Sequence, residues 1–145
     1  LVQATDWALG SPHTKGIPLG YFGSSTGAAA ALVAAAERPN DIRAVVSRGG
    51  RPDLAWQSLH GVHAPTLLIV GGEDHQVIEL NRRAYAQLLA PRKLVIVPGA
   101  THLFEEHGAL EAVARLAGEW FSEHLVPEQP AVSESKPGDE THPER

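Results

Sequence analysis

The sequence predicts an α/β fold of about four parallel strands joined by crossover helices, and three observations predict it. From Ile17 the chain alternates short strand-like runs with helical patterns, and such an order requires crossover connections and therefore parallel pairing. The run Thr66 to Val70 is apolar without alternation, the pattern of a strand covered on both faces. Each strand-like run also ends in a loop that contains glycine, at the edge where open parallel sheets bind their ligands.

Taken in order, residues Leu1 to Leu9 carry apolar side chains at 1, 2, 4, 7, 8 and 9, close to one face of a helix. That helix opens without a capping residue, as though cut through the middle, and Gly10-Ser11-Pro12 ends it. A first strand over Ile17 to Phe22 feeds Gly23-Ser24-Ser25-Thr26-Gly27 and an Ala-rich helix to Glu37, stopped by Pro39. A second strand, Ile42 to Ser47, runs into Arg48-Gly49-Gly50-Arg51-Pro52 and a short helical stretch near Asp53 to Leu59. The third strand, Thr66 to Val70, ends at Gly71-Gly72-Glu73-Asp74, and a helix follows from about Glu79 to Leu89. The fourth, Lys93 to Val97, ends in Pro98-Gly99-Ala100-Thr101-His102, and Ala109 to His124 reads as the last helix. Residues 1–126 therefore form one domain. From Pro127 to Arg145 the chain has four Pro, many charges and almost no large apolar side chains, so burial cannot offset the entropy of ordering it, and a disordered tail is expected.

Composition narrows the function. The formal charge is −5, from 12 Lys+Arg against 17 Asp+Glu, with no basic run to neutralise phosphates; a nucleic-acid partner is not expected. The longest apolar run, Ala28 to Ala36, falls short of the roughly 20 residues that a membrane helix needs, so no membrane association is expected. Without cysteine there is no disulfide, thiol nucleophile or thiolate metal site, and a reducing, cytoplasmic setting is the default expectation. A chain of 145 residues that opens Leu-Val-Gln and contains no Met reads as a fragment, a mis-assigned start or a processed form.

Three of the strand-end loops carry reactive residues. Gly23-Ser24-Ser25-Thr26-Gly27 matches G-x-S-x-G between a strand and a helix, where a sharp turn raises the central hydroxyl above the sheet and glycines either side avoid collisions. Ser24 fits less well, because Phe22 stands where its leading glycine would be. His102 lies at the same edge of the sheet, and a histidine neutral near pH 7 is suited to take a proton from a serine. Asp74 can accept from the imidazole and fix its tautomer, although Glu73 fits by type and His75 is a less suitable base. The bland alternatives are a solvated serine in a Gly-rich turn, a turn carboxylate and a surface histidine; the chain order Ser, Asp, His argues against coincidence. Ser24, Arg48 and Arg51 are candidate pocket residues, the arginines either meeting an acidic substrate or remaining solvated in a turn.

Other chemistry lacks its residues. Gly20 to Gly27 has no P-loop lysine and the wrong spacing for a dinucleotide fold. His102-Leu103-Phe104-Glu105-Glu106-His107 has one residue too many for H-x-x-E-H, and His60 and His63 have no evident third ligand, so neither metal nor cofactor is expected.

From about Leu1 to Leu125 the sequence resembles the carboxyl-terminal part of an α/β-hydrolase, most closely the dienelactone-hydrolase-like group, through Gly20 to Gly27, Pro65 to Asp74 and Pro98 to His102. The resemblance implies Ser25 as nucleophile, Asp74 as triad acid, His102 as base and the Thr26 N–H as one oxyanion donor. Dienelactone hydrolases proper use Cys where this chain has Ser25. A serine hydrolase acting on a small ester, thioester or lactone is thus implied. It further implies a partial fold whose amino-terminal strands are missing, the second oxyanion donor with them. The first strand would then be an open edge, to be covered by a missing segment or a partner. Similar modules occur fused behind phosphoribosyltransferase domains. The competing expectation is a catalytically incomplete fragment or docking module left from such a fusion.

Overall fold

The computed structural model describes residues 1–127. Helix α1 (Val2–Gly10) precedes strand β1 (Leu19–Ser24) and helix α2 (Thr26–Glu37); strand β2 (Ile42–Arg48) leads into a 3-10 helix (Pro52–Gly61). Strand β3 (Thr66–Gly71), helix α3 (His75–Gln87), strand β4 (Arg92–Val97) and helix α4 (Ala109–His124) follow. The strands form one parallel sheet in the order β1-β2-β3-β4.

Side chains alternate across a strand, so a strand buried on both faces supplies two cores. On one face Tyr21, Val45 and Leu68 pack with Leu32 and Ala35 of α2, with Leu59 and with Ala84 of α3. On the other, Val46, Leu67 and Ile69 meet Val113, Ala117 and Trp120 of α4 and Phe104 of the preceding loop. Every residue of β3 is buried, as its unbroken apolar run requires. Leu68 and Ile69 are fully buried, each worth about 1.5–3 kcal/mol relative to exposure. Helix α1 packs Val2 against the first core, and its Thr5 hydroxyl meets the Tyr21 hydroxyl at 2.5 Å. Strand β1 is an edge of this sheet, with Phe22 half exposed.

Two elements depart from the sequence reading. Strand β1 begins two residues later than Ile17, because the Ile17 N–H is used by the Thr14 carbonyl in a turn and Pro18 has no N–H. It extends instead through Gly23↔Ser47 and Ser24↔Arg48, so the nucleophile candidate directly follows the last paired residue. Helix α3 begins at His75 rather than Glu79, since the Ile78 N–H donates to the Asp74 carbonyl and closes the first turn there. The tail expected from Pro127 lies, beyond Pro127 itself, outside the described residues. Among the described residues no helix is long and apolar enough to cross a membrane, and no cluster of three or more His, Asp or Glu is arranged to hold a metal ion.

Candidate active site

Ser25 is the residue between β1 and α2, with φ 51° and ψ −120°. This backbone region is costly for a residue with a side chain, of order 1–3 kcal/mol, and persists only where its surroundings enforce it. They do so here from both sides: the Ser25 N–H donates to the Arg48 carbonyl and the Arg51 N–H donates to the Ser25 carbonyl, each at 3.1 Å. Gly23 is required because a Cβ there would lie 2.6 Å from the Ala28 Cα and the Gly27 carbonyl. Gly27 faces open space, so of the two motif glycines only Gly23 is imposed by the turn.

Asp74 and His102 are brought together by the backbone beyond the β3–β4 ladder. The Gly72 N–H donates to the Val97 carbonyl at 2.8 Å and the Glu73 N–H to the Ala100 carbonyl at 3.0 Å. This approach depends on Gly71, where a Cβ would stand 2.3 Å from the Ala100 oxygen. His102 Nδ1 then lies 2.6 Å from Asp74 Oδ2, and His102 Nε2 lies 3.3 Å from Ser25 Oγ. The Asp74 side chain is 15% exposed and that of His102 40%, so the acid is shielded and the base open to solvent. A carboxylate oxygen on one ring nitrogen and a hydroxyl on the other is the arrangement in which an imidazole can donate from Nδ1 and accept at Nε2.

The geometry separates the alternatives that sequence left open. The Ser24 hydroxyl accepts from the Arg48 guanidinium and makes no bond to His102. Glu73 is directed to His75, 4.0 Å away, and the His75 side chain is 81% exposed. Thr26 is the first residue of α2, where a backbone N–H has no acceptor within the helix. Arg51 forks onto Asp53 at 2.9 and 2.8 Å, which raises its pKa further and holds the Asp53 carboxyl below its usual range. Arg51 thus has an acidic partner within its own loop while its side chain stays 41% exposed to solvent.

Sequence reading missed the supports of the histidine loop. Glu106 accepts from the Thr101 N–H at 3.1 Å and from the Thr101 hydroxyl at 2.5 Å, and these bonds lower its pKa. Phe104 is fully buried with φ 54°, anchoring the loop two residues after His102. Asn81, also fully buried, donates from Nδ2 to the Gly50 carbonyl. A polar residue on the inner face of the α3 pattern was the available signal for Asn81; nothing local marked Glu106.

No protein-family model matches the chain. A Mycobacterium tuberculosis protein provisionally named phosphoribosyl transferase is 61% identical over 125 residues, 86% of this chain but 28% of that protein. An uncharacterized protein of the same organism is 32% identical over 143 residues, 80% of this chain and 50% of its own length. The chain thus spans about a quarter to a half of these relatives. Among solved structures, the dienelactone hydrolase of Anabaena variabilis is 61% identical with a TM-score of 0.85, over 86% of this chain and 58% of that one. The monoacylglycerol lipase of Paleococcus ferrophilus shares the fold at 18% identity and a TM-score of 0.71, over 85% of this chain and 74% of its own. By sequence and fold together, this chain is related to the dienelactone-hydrolase-like group of the α/β-hydrolases and holds a part of their fold.

Proposed function

We propose that the chain carries the catalytic triad of a serine hydrolase that cleaves a small ester, thioester or lactone. One observation supports this reading above the others: Asp74, His102 and Ser25, from three separate strand ends, form a continuous chain of contacts at 2.6 and 3.3 Å. In the first half-reaction Ser25 Oγ attacks the substrate carbonyl carbon while its proton passes to His102 Nε2. The negative charge on the carbonyl oxygen is met by the Thr26 N–H. When the tetrahedral centre collapses, the bond to the leaving group breaks and His102 returns the proton to that group. A water molecule then repeats the sequence on the acyl-enzyme, with His102 taking its proton and Ser25 recovering one. Asp74 stays ionised and stabilises the imidazolium. The second oxyanion donor, whose loss typically costs about 10²–10³ in turnover, is assigned in this reading to residues outside the chain, as is a cover for the β1 edge.

A fluorophosphonate probe tests the reading, since it reports an activated serine without knowledge of the substrate. Covalent labelling of the folded protein that disappears in Ser25→Ala is the expected result, and folded protein that takes no label would sink it. A second reading draws on the 61% identity to a quarter-length stretch of the protein named phosphoribosyl transferase. In it the chain is a non-catalytic docking module of a longer protein, and absent labelling favours that role.

A further inference from the structure

We propose that Arg48 is a positioning residue whose guanidinium ties the nucleophile turn to the histidine loop and so sets the approach of His102 to Ser25. The inference rests on the serine hydrolase reading. Ser25 follows β1 and His102 follows β4, the two outer strands of the four, with no ladder between them. Something must fix their separation across the sheet, because a hydroxyl and an imidazole that drift by about 1 Å can lose about 10²-fold in rate.

Arg48 is the last residue of β2 and pairs with Ser24 in the ladder, beside the nucleophile. Its Nε donates to the Ser24 hydroxyl at 3.1 Å, and one terminal amino group donates to the same oxygen. The other terminal amino group donates to the Leu103 carbonyl at 3.3 Å. Ser24 immediately precedes the nucleophile candidate and Leu103 immediately follows the base. The guanidinium carbon also lies 5.3 Å from the centre of the Phe104 ring, the buried anchor of the same loop. All three guanidinium nitrogens thus have acceptors within the protein. That favours positioning over contact with a substrate carboxylate, and a planar fork can span the two acceptors where a lysine point charge cannot.

The test is the labelling of the 145-residue protein by a neutral alkyl fluorophosphonate, resolved into maximal rate and half-saturating concentration. In that reaction Ser25 Oγ bonds to phosphorus, its proton passes to His102 and fluoride leaves. Arg48→Met is expected to lower the maximal rate about tenfold, leaving half-saturation and the final labelled fraction unchanged. Arg48→Lys should not restore the rate. Ser24→Ala, which removes one end of the tie and leaves the arginine, should slow labelling less. The double variant should be no slower than Arg48→Met alone, as expected for residues acting through one link. An unchanged maximal rate in Arg48→Met overturns the proposal. So does a raised half-saturating concentration with an unchanged maximal rate, which would place Arg48 against the probe, and so does a reduced final fraction at an unchanged rate, which marks misfolding. Wild-type protein that takes no label overturns the hydrolase reading and this inference together, whereas labelling lost in Ser25→Ala and indifferent to Arg48 overturns this inference alone.

Discussion

Asn81, buried on α3, donates from Nδ2 to the carbonyl of Gly50 at 3.0 Å, and the N–H of that same peptide, that of Arg51, holds the carbonyl of Ser25. A helix 56 positions along the chain from the nucleophile candidate therefore supports its strained backbone through a single loop peptide. In Asn81→Ala the buried Gly50 carbonyl loses this donor, at an expected cost of about 1–3 kcal/mol. Denaturant unfolding reads the cost, and fluorophosphonate labelling should slow in parallel. A variant as stable as wild type would show that Asn81 does not brace the loop.

In the proposed triad the 2.6 Å contact between Asp74 and His102 is what would fix the imidazole tautomer. Asp74→Asn keeps the shape of the side chain but supplies a donor as well as an acceptor. The labelling rate is expected to fall by about 10⁴-fold with the fold retained, as loss of the triad acid does elsewhere. A drop of only a few-fold, with unchanged circular dichroism, would remove Asp74 from the triad.

Gly71 lets the aspartate loop close on the histidine loop. In Gly71→Ala the new methyl would stand 2.3 Å from the Ala100 oxygen, a backbone atom that cannot rotate away. The expected cost is about 1–3 kcal/mol, with the Glu73 to Ala100 hydrogen bond opened. Amide exchange at Glu73 measures that opening, and exchange as slow as in wild type would refute it.

Glu106 has its carboxyl held below the ordinary value of 4.5 by its bonds to Thr101, beside His102. A carboxyl depressed by folding adds stability above its unfolded value and loses it as pH falls through the folded one. The difference in melting temperature between wild type and Glu106→Gln should therefore be constant above about pH 5 and close as the pH falls below that range. A difference that grows on acidification would contradict the assignment.

Much of the scaffold was legible in the sequence because it rests on local pattern. The bounds of α4, Ala109–His124, follow from its amphipathic spacing, and β3 follows from an apolar run that only a doubly covered strand tolerates. The loops that carry Ser25, Asp74 and His102 were legible too, since in a parallel sheet every strand delivers its loop to the same edge.

Where periodicity stopped, long-range pairing took over. β1 begins two residues late because Ile17 is used in a turn and Pro18 has no N–H, and it extends through Ser24 by hydrogen bonds to β2, a partner that no pattern within Ile17–Ser24 encodes. The sequence by itself determined a parallel α/β sheet and a Ser, Asp, His order along its carboxyl edge. Only the tertiary structure decided that Ser25 rather than Ser24 meets the imidazole, and that Asp74 rather than Glu73 does so. It alone showed Arg48, Asn81, Phe104 and Glu106 bracing the loops around them. The physical reason is distance along the chain: Ser25 and His102 lie 77 residues apart, Arg48 and Leu103 55, and contacts of that span depend on how the sheet and its loops pack. Even Glu106, only five residues from Thr101, reaches it across a turn in which the Phe104 N–H donates to the Thr101 carbonyl and the Phe104 side chain is buried.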